Sequence, residues 1–214
     1  VRGILRKINR LRKNQPPPIG GADFIHLNHY SFYADPEVLL PKLNELYKEL
    51  QTAESPFAKG APRILLAGHV VGVGDYVVPK LIEEAGGVIA AEFLDEGVRL
   101  CEWDVKADGD PVKNLADTYF LERTPPSIFQ PAWEARAEIM KKLIKNFSID
   151  AVIWYELSFD EIYDLEFSII AKVLGEIDIP FLKLESSYEY SREAMAPLIT
   201  RIESFVETVK QRRS

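Results

Sequence analysis

The sequence predicts an α/β fold: a doubly wound, Rossmann-like (flavodoxin-like) parallel sheet of about four strands with helices on both faces, preceded by N-terminal helices. Three observations predict it. Four short, mostly apolar runs are Ile64-Leu65-Leu66-Ala67, Val88-Ile89-Ala90-Ala91, Ala151-Val152-Ile153-Trp154-Tyr155 and Pro180-Phe181-Leu182-Lys183-Leu184. They read as strands covered on both faces. Helical segments separate the runs, as parallel crossovers require. With 214 residues, 47% of them hydrophobic, the chain can bury a sizeable core.

Each element follows in order. Ile4, Ile8 and Leu11 recur at helical spacing, so residues 3 to 13 form a short amphipathic helix. Arg2, Arg6, Lys7, Arg10, Arg12 and Lys13 precede the first acid, Asp23. They form a solvated basic face docked on the body, or a patch for an acidic partner or nucleic acid. Pro16-Pro17-Pro18-Ile19-Gly20-Gly21 is a linker or hard turn. Asp35-Pro36 is an N-cap followed by Pro at the first helical position, and Leu39, Leu40, Leu43 and Leu46 carry a helix to about Glu54. The strand of residues 63 to 67 ends at Gly68. A helix then runs from Pro79 to the Gly86-Gly87 stop, before the strand of residues 88 to 92. A polar stretch, a helix from about Pro131 to Asn146 and the strand of residues 151 to 156 come next. A helix from about Leu165 to Leu174 and the strand of residues 180 to 184 follow. Leu198, Ile199, Ile202, Phe205 and Val206 give a terminal helix from near Arg192 its face. The expected strand order is 2-1-3-4. The chain divides into a basic helix and linker (1–22), a helical segment (23–60) and the α/β unit (61–214).

Composition excludes several classes. Lys+Arg 26 against Asp+Glu 33 leaves a net charge of −7, which argues against a general nucleic-acid binder. One Cys excludes a disulfide scaffold and fits a reducing, cytoplasmic setting. No apolar run reaches the roughly 18 to 20 residues of a membrane span. The chain begins at Val1 rather than Met, which reads as a fragment or a processed chain.

Ligands of an open parallel sheet bind beyond the carboxyl ends of its strands. That rule singles out Gly68, His69 and Gly72 after the first strand, Glu156, Ser158 and Asp160 after the third, and Glu185 after the fourth, expected to line one crevice. The glycines permit close approach to a ligand, although the Gly68 to Asp75 stretch lacks the GxGxxG spacing and any P-loop Lys. Ordinary readings stand beside these: a plain connecting loop, Asp160 and Glu161 as a helix cap, His69 satisfied by backbone or water. His26 and His29 share a face without an evident third metal ligand.

Several stretches together carry a resemblance: the PPPIGG linker, PRILLAGHVVGVGDYVVPKLIEEAGG, DAVIWYELSFDEIYDLEF, IPFLKLESSY and the terminal TRIESF. In this order, over nearly the whole chain, they resemble the C-terminal half of the 2-hydroxyglutaryl-CoA dehydratase D-component family, to which benzoyl-CoA reductase subunits also belong. The resemblance implies an oxygen-sensitive heterodimer, with a second dehydratase-like subunit and an ATP-dependent activator that injects one electron. It also implies a [4Fe-4S] cluster in each subunit and an acyl-CoA substrate that loses water through a ketyl-type radical, or whose ring is reduced. Members are longer, with a preceding domain that supplies further cluster thiolates. Where the family reads Phe-Cys-Asp/Glu, this chain reads Phe159-Asp160-Glu161, so Asp160 holds the position of a cluster Cys; Cys101 lies off that position. Arg201 and Glu203 of the terminal motif are kept and suit a helix or domain contact. Carboxylate is a hard donor where a cluster takes thiolate, so a non-catalytic interaction subunit and a CoA- or nucleotide-binding module without a cluster stand as alternatives.

Overall fold

A computed structural model describes residues 1–95, 101–123 and 132–213. Helices α1 (Arg2–Leu11), α2 (Gly21–Tyr33) and α3 (Pro36–Leu50) precede strand β1 (Arg63–Gly68). Then come α4 (Val77–Glu84), β2 (Val88–Phe93) and α5 (Pro111–Ala116), which runs into one turn of π-helix (Asp117–Glu122). The chain closes with α6 (Trp133–Asn146), β3 (Ala151–Leu157), α7 (Glu161–Glu176), β4 (Phe181–Ser186) and α8 (Arg192–Arg213).

The sheet is four-stranded and parallel in every pairing, in the order β2-β1-β3-β4, as expected. Every residue of β1 and β2 is buried, whereas β4, at the edge, is half open. Side chains alternate across the sheet. Ile64, Leu66, Ile153 and Tyr155 meet Val78 and Ile82 of α4 and Leu198, Ile202 and Val206 of α8. Leu65, Ala67, Val152 and Trp154 meet Ala137, Met140 and Ile144 of α6 and Ile170 and Leu174 of α7. The crossovers therefore change face, and the reversal lies between β1 and β3. A third core joins Ile4, Leu5 and Ile8 of α1 to Phe24, Leu39, Leu43 and Cys101.

Several expectations need correction. The basic stretch is not uniformly solvated: the Arg12 guanidinium is 0% exposed and forks onto Glu92, at 2.5 and 2.8 Å, with a further bond to Ile89 O at 2.7 Å. A strand-borne carboxylate buried at β2 draws it in. The Gly20-Gly21 pair starts helix α2 rather than only breaking a chain, because Gly21 N donates to Glu83 Oε1 at 2.7 Å and its missing Cβ leaves room for Ile89. Helix α3 stops at Leu50, short of Glu54. Helix α7 starts at Glu161, four residues before Leu165, because Asp160 caps it. The polar stretch contains α5, opened by Asp110 as N-cap before Pro111. Pro131, the expected start of α6, lies outside the described residues.

Candidate functional site

The switch point is built by two chain departures. At the end of β1, Gly68 has φ +109°, and the place a Cβ would take is filled by the Tyr155 carbonyl of β3. The glycine thus serves the close approach of β1 to β3. His69 N then donates to Tyr155 O at 2.8 Å and the chain leaves the sheet. At the end of β3, Ser158 N donates to Ser186 O at 2.7 Å, and Asp160 N turns back to Leu157 O at 3.1 Å. Between them Phe159 sits at φ +69° with its side chain 100% exposed, a left-handed conformation unusual for a bulky residue.

These two departures bring His69 and Asp160 together, with Nε2 to Oδ2 at 3.2 Å. The other ring nitrogen, Nδ1, lies 2.7 Å from Val70 O and is its donor, since a carbonyl only accepts. The other carboxylate oxygen, Oδ1, accepts from Ile162 N at 3.3 Å and Tyr163 N at 3.5 Å, capping α7. Asp160 is therefore both a helix cap and a partner of His69.

A polar network that sequence reasoning missed continues from this pair. The Tyr163 ring stands edge-on to His69 at 5.2 Å, and its hydroxyl donates to Asp95 Oδ2 at 2.8 Å. Asp95 Oδ1 lies 3.5 Å from the buried Arg136, which also forks onto Glu166 and covers the Phe93 ring at 4.6 Å. Asp95 follows the carboxyl end of β2, so the strand-end rule could have found it. Arg136 and Glu166 lie on helix faces where a charge normally reads as solvated, and nothing in the sequence marks them.

The remaining residues divide. Glu156 is buried away from the pair, with Lys183 Nζ 2.8 Å from its Oε1, while Oε2 has no hydrogen-bond partner. Burial pushes its carboxyl above the usual range against the pull of Lys183. Lys183 also pairs with Asp164; its hydrogen bonds to the two acids outweigh the cost of burial and raise its pKa. Ser158 and Glu185 line a separate cavity of about 220 Å³ with Ser186, Ser187 and Arg201. A Cβ at Gly72 would stand 3.9 Å from Asp75 Cβ and from the Tyr188 hydroxyl, so the loops after β1 and β4 approach each other there. Beside them the Tyr190 phenol is pushed up to about 12, by burial and then by Asp75. The predicted crevice is thus a pair at the switch point and a cavity beside it, with Glu156 turned inward from both.

An iron–sulfur cluster asks for thiolates. Cys101 is 2% exposed and packs with Ile4, Leu5, Ile8 and Phe24 of the N-terminal helices. Burial pushes its thiol up to about 11, so it stays protonated at neutral pH. Asp160 offers a hard oxygen already engaged with a helix end and with His69. The described residues do not fit a [4Fe-4S] cluster, and among them no group of three or more His, Cys, Asp or Glu is poised around one metal ion.

Two comparisons bear on this arrangement. The sequence profile of the family described as "2-hydroxyglutaryl-CoA dehydratase, D-component" matches residues 1–209. The Escherichia coli (strain K12) protein named "Putative dehydratase subunit YjiM" is 26% identical over 210 residues, covering 96% of this chain and 54% of that relative. The chain spans about half the length of the curated relative it matches. Among the described residues, no helix is long and apolar enough to cross a membrane.

Proposed function

The chain belongs to the 2-hydroxyglutaryl-CoA dehydratase D-component family, and from that premise we propose that it is a dehydratase-like subunit that binds an acyl-CoA thioester over the carboxyl ends of its strands. The observation that carries this reading is the meeting of His69 and Asp160 at the switch point, where open parallel sheets take their ligands. The proposed reaction removes water from a 2-hydroxyacyl-CoA. The C2–O and one C3–H bond break, a C2=C3 double bond forms, and hydroxyl and proton leave together as water, with no net oxidation. This chain's residues bind and orient the thioester. The cavity of Ser158, Glu185 and Arg201 supplies hydroxyl, carboxylate and guanidinium partners for amide and hydroxyl groups. A second dehydratase-like subunit and an ATP-dependent activator complete the proposed system.

Asp160 in its capping role supports a second reading, a subunit that keeps the ligand crevice but contributes no redox centre. Calorimetric titration with a 2-hydroxyacyl-CoA, free CoA and the free 2-hydroxy acid tests the shared claim. The thioester binds more tightly than either fragment; equal or absent binding of all three overturns it. Turnover of the reconstituted complex separates the readings, since Asp160→Asn keeps the cap. Activity falls at least about tenfold if Asp160 works on the substrate and is unchanged if the subunit is only a scaffold.

A further inference from the structure

Strand β3 lies between β1 and β4, and the chain leaves it for α7, on the α6/α7 face. Strands β1 and β4 lead instead to α4 and α8, on the opposite face. On that face the carboxyl end of β3 is flanked by two loops whose parent strands do not pair with each other. The two loops nevertheless join. The Tyr188 hydroxyl stands 3.9 Å from the place a Cβ on Gly72 would take, and the Asp75 carboxylate accepts a hydrogen bond from the Tyr190 phenol. Beneath the joint lies Tyr155 of β3, buried and turned to the same face. Burial first, and then the Asp75 charge with Tyr190 and Tyr188, disfavour ionisation of its phenol, so all three groups stand close to it.

The loops are held at their bases and open at their middles. Val71 is buried in the core with Val78 and Ile82 of α4, and His69 is tied to Asp160. At the far end Ser191 Oγ accepts from Ala194 N at 3.2 Å and fixes the start of α8. Between these fixed points Val73, Tyr188 and Tyr190 are exposed, and Gly74 has φ +94° with open space around it. Asp75 N donates to Gly72 O at 2.9 Å, so Asp75 is carried on a closed turn. Few buried contacts and one fastening hydrogen bond are the marks of a segment that opens locally.

We propose that the Gly72–Asp75 turn and the Tyr188–Tyr190 segment are two halves of a lid, closed in this structure, over the α4/α8 side of the switch-point crevice. Opening parts Tyr190 from Asp75 and uncovers the Tyr155 hydroxyl, while the base of the first loop stays pinned through His69 to Asp160. The phenol so uncovered is a hydrogen-bond donor for a carbonyl oxygen, a group the thioester carries. The lid stands on these contacts alone, and its part in ligand entry rests on the thioester reading.

Hydrogen–deuterium exchange of the 214-residue chain, read by mass spectrometry, tests the lid without a ligand. Tyr190→Phe keeps the ring and removes the hydroxyl; Asp75→Ala removes the acceptor and keeps the backbone turn. Each raises amide exchange at least about threefold in both loops, residues 72–76 and 187–191, while β1 and β3 stay protected. Unchanged exchange, or a rise confined to the loop that carries the substitution, overturns the lid. Stopped-flow mixing with a 2-hydroxyacyl-CoA then tests the gating. Association speeds up at least about threefold in Tyr190→Phe, and an unchanged rate overturns the gating role. Absence of thioester binding from wild type and both variants fails the thioester reading instead, while the exchange result still decides the lid.

Discussion

Replacing Arg12 by Ala removes a guanidinium with no exposed surface that holds the end of α1 against the sheet. Its fork onto Glu92 and its bonds to Ile89 O and Asn9 Oδ1 are lost, along with its packing over the Phe24 ring at 4.7 Å. What remains is worse than a lost contact: the Glu92 carboxylate, 3% exposed, has lost its cationic partner. Breaking a buried pair from one side costs about 3 to 5 kcal/mol. In a chain of this size each kcal/mol moves the midpoint by about 2 to 4 °C, so Tm falls by about 6 to 20 °C. Replacing both partners by Met removes the stranded charge at similar volume, and returns stability to within about 1 kcal/mol of wild type or above it. Urea unfolding followed by circular dichroism measures all three proteins. A loss below about 1 kcal/mol in Arg12→Ala, or a double variant no better than the single one, refutes the reasoning.

Gly68→Ala forces a Cβ into the β3 backbone at positive φ and costs about 3 kcal/mol or more, whereas Gly74→Ala, at φ +94° with open space around it, costs about 1 to 2 kcal/mol. Equal losses in unfolding experiments would show that the β1–β3 approach is not what requires glycine. Burial pushes the Glu83 carboxyl up to about 7, against the backbone donors Gly21 N and Ile89 N and the Arg12 charge. A folded pKa above the unfolded one means this contribution is complete below about pH 4.5 and declines by up to about 3 kcal/mol as pH rises through 7. Glu83→Gln flattens that slope between pH 5 and 8, and an unchanged slope contradicts the assignment. Anaerobic reconstitution with iron and sulfide leaves the chain colourless after desalting; a stoichiometric four-iron cluster would overturn the donor argument at Asp160 and Cys101.

The strands were legible because β1, β2 and β3 are covered on both faces, which leaves the apolar runs Ile64 to Ala67, Val88 to Ala91 and Ala151 to Tyr155. Their order followed from the need to cover both sides of the sheet. Helix α2 was not legible as a separate element. It opens on two glycines, and its N-terminus is held by Glu83, distant in sequence. Helix α5 could have been read, since Asp110-Pro111 repeats the cap-and-proline pattern of Asp35-Pro36. In the site, strand ends predicted the neighbourhood of His69 and Asp160. Side-chain direction decided the rest, turning Glu156 inward onto Lys183. The Arg136–Glu166 pair is a tertiary arrangement of two charged helix positions, and no local pattern encodes it.

The central claim is that the crevice at the β1–β3 switch point receives the thioester. The chain has three histidines, and only His69 lies there; His29 is buried on α2 with Nδ1 3.0 Å from the Tyr76 hydroxyl, and His26 stacks on the same ring at 4.6 Å. Titrating a 2-hydroxyacyl-CoA into histidine-labelled protein and following the ring resonances therefore locates the ligand directly. With the thioester in this crevice, the His69 ring signals shift in proportion to occupancy while those of His29 stay in place. Saturable thioester binding that leaves His69 unmoved would contradict it.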